Sequence, residues 1–440
     1  MPGMSAAQRS VALVVAALFV LGAVVVGVNV LGDRGETASS GSPSATASAS
    51  AGASPTDGPS PDPSFPSDEE ALAILAEIEE QVEAIRGLEP ADIGPVELIS
   101  REQLGEELQA IFDEDYPVEE RERDNIVLRA FGLLEPEQDV AELQLELLGE
   151  GVLGFYDDIE KRMVVVTDAG LDATAKLTYA HEYTHALQDA AFGLDSLETD
   201  AVGEDDRGLA RTALIEGDAN TTMLAWAIRH MTQAEILELQ QMPLPDTSNI
   251  PSWMVAQIEF PYIDGQAWVT QMAGGDAFAP IFGEVDAAYA DPPDSTEQVI
   301  DFDKWVAREE PIPVALPDLA AGLGDGWEEV DSSPVGQATI GIILEYFGMG
   351  APDAGRAGAG WGGDRAVVAS GPDGQFALAW RLAWDGPEDA GEFVNAYGTA
   401  IGQRPLGFPA SVVELADGQV LVVHASSQEL HDQVLALAGG

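Results

Sequence analysis

The sequence predicts an α+β protein: a mostly helical domain with a small β-sheet, then a small C-terminal α+β module, after an N-terminal transmembrane helix. Three observations lead there. Between residues 67 and 330 apolar side chains recur mainly at helical spacing, interrupted by short apolar runs at 154–156 and 163–166. Toward the C-terminus the pattern changes to apolar runs flanking the turn pairs Asp373-Gly374 and Asp417-Gly418. At the other end, Val11–Leu31 carries no charged side chain.

At about 1.5 Å per residue, Val11–Leu31 spans about 30 Å as a helix, the thickness of a bilayer core. A cleaved signal peptide is the competing reading. Its apolar region is shorter, about 7–15 residues, and Val28-Asn29-Val30 offers no small-x-small cleavage site. Arg9 precedes the span, so the positive-inside rule leaves residues 1–10 as a cytoplasmic stub and everything after 31 outside. The expected location is therefore a single-pass cell-membrane protein with an extracytoplasmic C-terminal part. Residues 35–66 are almost entirely Ser, Ala, Thr, Gly and Pro, which reads as a flexible linker without secondary structure.

Order resumes at Ser67, which with Glu70 makes a capping box ahead of Leu72, Leu75, Ile78, Val82 and Ile85. Ser100 with Gln103 opens a second helix, and two more follow around 126–134 and 140–148. The apolar runs at 154–156 and 163–166 read as strands joined by an Asp157-Asp158 turn. A helix over about 172–191, a polar loop and a long helix over about 206–231 come next, with further helical segments to about 306. Strands at 366–369, 376–384, 412–415 and 420–424, with helices near 387–401 and at the end, form the module assigned to 361–440. A Gly/Ala/Pro-rich connection near 348–360 separates it from the domain assigned to 67–330.

Composition removes several function classes. The chain of 440 residues has 77 acidic and 19 basic side chains, a formal charge of −58. Such a chain repels phosphate backbones, which argues against a nucleic-acid partner. The acidic charge is spread throughout, a pattern suited to a saline medium. There is no cysteine, so disulfides, thiolate metal sites and cysteine catalysis are excluded. Any metal must be held by His, Asp or Glu, and there are five His.

Two of the five stand in His181-Glu182-Tyr183-Thr184-His185. In this composition a chance HExxH is expected about 0.005 times, so the pattern reads as a metal signature. Residues i and i+4 lie one above the other on a helix, so both imidazoles can reach one ion. Glu182 lies about 100° round the helix, beside the ion and free to take a proton from water. Two surface histidines on an amphipathic helix would be the bland reading.

A catalytic zinc normally has a third protein ligand, and here acidic residues or His230 are available. Glu216 stands out in Ala213-Leu214-Ile215-Glu216-Gly217-Asp218-Ala219-Asn220, because a Glu on an otherwise apolar helix face must be paired or bound. Asn220, one turn on, suits a hydrogen bond to a ligating imidazole. His230 lies about 21 Å further along the same helix, too far to share the ion with Glu216. Glu198, Glu204, Asp205 and Asp206 read as solvated loop charge, and His424 and His431 as surface residues. Tyr262, in Phe260-Pro261-Tyr262-Ile263-Asp264-Gly265 at what reads as a helix start, is a candidate donor to a developing oxyanion. Trp361-Gly362-Gly363-Asp364-Arg365 reads as a structural corner with a possible Asp364–Arg365 ion pair.

An HExxH helix followed by a Glu on a second helix resembles the gluzincin group of zinc metallopeptidases. The resemblance covers about Gly151 to Asn220. It implies a zincin-like fold for the helical domain, Zn2+ as cofactor, His181, His185 and Glu216 as metal ligands, and Glu182 as general base. It also implies that Met163–Val166 is an edge strand pairing with extended substrate. The function expected is a membrane-anchored, extracytoplasmic zinc-dependent metallopeptidase acting on protein or peptide substrates. Glu216 follows His185 at a longer interval than in the compact thermolysin-like members, and Asn220 stands where many members have Asp. The competing class is a non-catalytic, zinc-stabilised cell-envelope binding or scaffold protein. Glu182 argues against it, since a base has no duty in holding the ion.

Overall fold

In the computed structural model, which describes residues 67–439 apart from 152–153, 168–169 and 243–245, order begins at a reciprocal cap. Ser67 Oγ accepts from the Glu70 amide, and the Glu70 carboxylate accepts from the Ser67 amide at 2.9 Å. That cap opens α1 (Asp68–Arg86), which buries Leu75, Ile78, Val82 and Ile85. The Ser100–Gln103 box opens α2 (Arg101–Asp115) in the same way, after the short β1 (Glu97–Ile99). Then come α3 (Val118–Phe131) and α4 (Val140–Gly151), and the hairpin β2 (Gly154–Asp157) and β3 (Arg162–Val166). The chain continues through α5 (Ala173–Phe192), α6 (Asp205–His230), α7 (Gln233–Gln241) and α8 (Ser252–Met272). Four short helices, α9 (Gly283–Ala290), α10 (Thr296–Ile300), α11 (Phe302–Ala307) and α12 (Leu319–Leu323), complete this half.

The expected transmembrane helix, and the membrane location resting on it, are corrected. Among the described residues no helix is long and apolar enough to cross a membrane. The longest, α6, carries Asp205, Asp206, Arg207, Arg211, Glu216 and Asp218, which a bilayer core does not admit. The stub at 1–10, the span at 11–31 and the linker at 35–66 lie outside the described residues.

A second correction concerns the small sheet. Its order is β1-β3-β2, with β3 parallel to β1 and antiparallel to β2. Met163–Val166 is therefore the central strand and not an edge. Its unbroken buried run marks a strand covered on both faces. The partner β1 is only three residues long, too short to show a period. The edge facing α5 is β2, whose Tyr156 amide donates to Glu182 Oε2 at 3.2 Å.

The C-terminal sheet is antiparallel throughout, in the order β4-β5-β6-β8-β7. Its strands are β4 (Glu328–Ser333), β5 (Trp361–Ser370), β6 (Phe376–Trp384), β7 (Ala410–Glu414) and β8 (Val420–Ala425). Helices α13 (Gly336–Tyr346) and α14 (Ala351–Gly358) lie between β4 and β5, α15 (Pro387–Gln403) follows β6, and α16 (Gln428–Ala438) ends the chain. The sheet thus starts well before 361, in a strand, Glu-Glu-Val-Asp-Ser-Ser, with a single apolar residue. One buried cluster runs from Phe112 and Phe131 to Trp361, Trp380 and Phe393, so the two halves share a core. Trp361–Arg365 is not a corner but the start of β5, with a register shift between Trp361 and Gly363, and its pairing differs as well. Asp364 accepts from the Val335 and Gly336 amides and the Trp361 indole, while Arg365 donates to the Gly203 and Ser332 carbonyls. Neighbours on a strand point to opposite faces, so the two cannot pair.

His424 is fully buried and His431 nearly so, against the surface reading. His424 Nδ1 donates to the Ala130 carbonyl at 2.8 Å, and Nε2 lies 3.1 Å from the Tyr397 hydroxyl. Burial pushes its pKa down to about 4. The unfolded chain takes up this proton below about 6.5, the folded one only near 4. Stability should therefore fall as pH drops from about 6.5 toward 4, by on the order of 1 kcal/mol per pH unit. Denaturant melts across that range should show a shallower loss for His424→Gln than for the parent. Parallel slopes would mean that His424 is not neutral in the fold.

Two glycines set how α6 meets α8. A Cβ on Gly217 would lie 2.3 Å from the Gly265 carbonyl oxygen, and one on Gly265 would lie 2.4 Å from that of Ala213. Only hydrogen fits at either position, so the backbones touch, and the residues beside the contact, Glu216 and Tyr262, face a common space. Gly217→Ala should cost about 1–3 kcal/mol, the usual penalty for overpacking, and weaken metal binding by displacing Glu216. Chemical denaturation paired with metal titration checks both effects, and a variant matching the parent in both would refute the close crossing.

Candidate metal centre

Asp172 caps α5, its carboxylate accepting from the Ala175 amide at 2.8 Å, and sets the helix running past the β2–β3 hairpin. His181 and His185 fall on the face toward α6. Glu216 comes from the middle of α6, and its Oε2 lies 3.2 Å from His181 Nε2 and 3.4 Å from His185 Nε2. The two Nε2 atoms are 3.0 Å apart. Metal–ligand distances of about 2.0–2.2 Å put tetrahedral donor atoms roughly 3.3 Å apart, so the three atoms form one face of such a tetrahedron. His181, His185 and Glu216 are a buried group that can hold a metal ion.

Burial makes the geometry informative. His181, His185 and Glu216 are 0% exposed and Glu182 is 1% exposed. Burial alone would raise the Glu216 carboxyl, yet the charge of His185 and hydrogen bonds from both histidines hold it down at about 2. Burial likewise works to lower His185, but Glu216 and then Glu182 hold it up at about 9. His181 is pushed down by burial. The cluster therefore demands positive charge, which protons supply when nothing else does. Glu182 is pushed up to about 8 by burial, against the pull of His185.

The tautomer of His185 is settled by its neighbours. Gln188, one turn on, donates through Nε2 to the Ile215 carbonyl at 3.0 Å and to Asp218 Oδ2 at 3.1 Å. Its Oε1 must therefore accept, and the partner at 2.8 Å is His185 Nδ1. Once the ring is neutral, its one proton is thus on Nδ1 and the Nε2 lone pair faces the site. Asp218 is fixed in turn by Arg86 Nε at 2.8 Å and the Tyr289 hydroxyl at 2.9 Å. Gln188, Asp218 and Arg86 were not singled out from the sequence. The one available signal was Gln188 standing at i+3 from His185.

Of the other predicted residues, Asn220 lies against the His181 ring and favours its charged form. His181 Nδ1 and Asn220 Oδ1 nevertheless make no well-formed hydrogen bond among the described residues. The Asn220 amide donates to the Tyr262 carbonyl at 2.9 Å, tying α6 to α8. Tyr262 sits in the middle of α8 and not at a helix start, because α8 continues through Pro261. Its ring centroid is 6.1 Å from that of His181. Burial and then the Glu216 carboxylate, to which its hydroxyl bonds, hold that hydroxyl protonated. His230, at the end of α6, is exposed. Asp206 is buried, against the solvated reading, and accepts from the Thr296 amide and hydroxyl.

Residues 326–435, the C-terminal sheet with its helices, match a family model described as a domain of unknown function (DUF8575). His181, His185 and Glu216 lie outside that match. No curated protein matches the chain, and no solved structure matches it.

If Gln188 holds the His185 tautomer, Gln188→Ala should lower metal affinity about 10- to 100-fold while leaving one site per chain. Competition against a chromophoric chelator reads this directly. Unchanged affinity would mean that Gln188 only packs.

Proposed function

We propose that this protein is a zinc-dependent peptidase that hydrolyses peptide bonds with Glu182 as general base. The observation that carries the reading is Glu182 itself. It is buried beside the three donors, contributes to none of their mutual contacts, and has an oxygen, Oε1, without a hydrogen-bond partner among the described residues. A buried carboxylate is costly, and a structural site gains nothing from a second acidic group beside the three donors.

The donor set supports zinc. Two imidazoles and one carboxylate are a catalytic zinc set, and with no cysteine in the chain no thiolate site competes. A zinc ion held by His181, His185 and Glu216 would supply Lewis acidity toward water and a carbonyl oxygen. Glu182 takes a proton from the attacking water and delivers it to the leaving nitrogen. His185 stays oriented through Gln188. The Tyr262 hydroxyl stays protonated against Glu216, and it must turn from that carboxylate to donate to the oxygen that gains charge. With β3 internal, the sheet edge beside Glu182, and so the one suited to an extended peptide, is β2.

Complete burial of the donors is the observation on the side of the second reading, a zinc-stabilised binding or scaffold protein. The two separate cleanly. Glu182→Gln should keep one zinc per chain while lowering peptide cleavage at least about 100-fold. Zinc analysis of the purified variant beside a peptide-cleavage assay makes the comparison, with chelation and zinc restoration of the parent as control. Loss of zinc from the variant, or no zinc-dependent cleavage by the parent, would defeat the peptidase reading.

A further inference from the structure

The helix α1 reaches the metal centre without contributing a donor to it. Its apolar stripe of Leu75, Ile78 and Val82 is buried, and three hydrogen bonds tie it to the helices of the centre. Tyr179 and Tyr183 of α5 donate to Glu79 and Glu83, and Trp226 Nε1 of α6 donates to Gln81 Oε1 at 2.8 Å. Arg86 is the last residue of α1. An arginine there ordinarily keeps its head in water, but Arg86 is 2% exposed. Its guanidinium lies over the Phe282 ring at 4.4 Å and 5.7 Å from that of Phe192, which ends α5.

Hydrogen bonding compensates this burial poorly. Arg86 Nε donates to Asp218 Oδ1 at 2.8 Å and to Oδ2 at 3.1 Å. Nη2 approaches Asp286 at 2.7 Å, yet neither Nη1 nor Nη2 makes a well-formed hydrogen bond among the described residues. An apolar pair of similar volume often serves a fold equally well. What the ion pair supplies, and an apolar pair does not, is direction. Asp218 Oδ2 accepts from Gln188 Nε2 at 3.1 Å and from the Tyr289 hydroxyl at 2.9 Å. A carboxylate only accepts, so Gln188 presents its amide nitrogen there and leaves Oε1 for His185 Nδ1 at 2.8 Å. Turned over, the amide would set its oxygen against the Asp218 carboxylate and its nitrogen against His185 Nδ1. The neutral ring would then carry its proton on Nε2, where a metal ion needs the lone pair.

We propose that Arg86 and Asp218 are positioning residues for the metal centre: their ion pair fixes the direction of the Gln188 amide and so keeps His185 Nε2 free for a metal ion. Metal retention then depends on α1 being docked, although α1 supplies no ligand. The inference rests on the metal-holding group of His181, His185 and Glu216 and not on peptide cleavage.

The test uses the full-length protein, isotope-labelled only at its five histidines. Chelator competition reads zinc affinity, and magnetic resonance reads hydrogen exchange at the His185 ring Nδ1–H in the zinc-saturated protein. Asp218→Asn barely alters shape but replaces one accepting oxygen by a donor, so a donor meets a donor at Gln188 or at Arg86. Zinc affinity should fall about 10- to 100-fold, and the ring N–H should exchange at least about 10-fold faster. Arg86→Met combined with Asp218→Leu replaces the pair outright. It should give the same two changes with a denaturation midpoint near the parent's. Gln81→Met, which loosens α1 only at its Trp226 contact, should leave both readouts unchanged. Parent-like affinity and exchange in either of the first two variants would overturn the proposal, since the pair would then only pack. An equal loss in Gln81→Met would also overturn it, since any loosening of α1 would then suffice. If the double variant fails to fold, Asp218→Asn against Gln81→Met decides. None of these measurements reads cleavage. Parent-like zinc binding in the variants leaves the peptidase reading intact, and a parent that holds zinc without cleaving peptides leaves this inference intact.

Discussion

A carboxylate with no access to water, held between two imidazoles, is the constraint on which the centre of this protein depends. An isolated buried carboxylate costs more than a fold can offset, so Glu216 is stable only with positive charge at the point where its Oε2 meets the two Nε2 atoms. Protons supply that charge by loading His185. They do so at the expense of an imidazole lone pair, and the rest of the network is arranged to keep those lone pairs bare. Gln188 holds the His185 proton on Nδ1, away from the site. A divalent cation satisfies carboxylate and lone pairs together, which a proton cannot.

The two histidines are supported differently. His185 leads through Gln188 to the Asp218–Arg86 pair, and Arg86 lies over the Phe282 ring at 4.4 Å while pairing with Asp286 at 2.7 Å. A buried ion pair is poor evidence for stability, but this one orients an amide whose direction fixes a tautomer. His181 is flanked by the neutral Asn220 and the Tyr262 ring, and the Asn220 amide is engaged with the Tyr262 carbonyl. The His185 side is therefore held by charge from α1 and the His181 side by the crossing of α6 and α8. That crossing is possible because Gly217 and Gly265 let the backbones touch.

The centre was largely legible in the sequence, because a helix converts spacing into position: His181 and His185 at i and i+4, and Glu216 conspicuous on an apolar face. What sequence reasoning missed had no period to reveal it. The strand β1 is three residues long, so the centrality of β3 was hidden, although the unbroken run Met163–Val166 carried a hint. The acidic character of Asp205 and Asp206 suggested solvent, but Asp206 caps a junction with Thr296 deep in the protein. His424 looked like a surface residue in a module of its own, because its partner Ala130 is distant in sequence. Tyr262 was misjudged in setting because a proline inside a helix imitates a proline before one.

The C-terminal unit follows the same logic of partners distant in sequence. It meets the first half at the start of α6, where the Asp205 amide donates to Ser333 Oγ at 3.0 Å and Arg365 reaches the Gly203 carbonyl. The same helix, three turns on, carries Glu216. Asp364 in turn gathers the amides that begin α13, and α13 forms a wall of a cavity that ends on Tyr262. The unit is thereby joined to the helix that carries Glu216, although among the described residues none of its acidic or histidine side chains joins His181, His185 and Glu216.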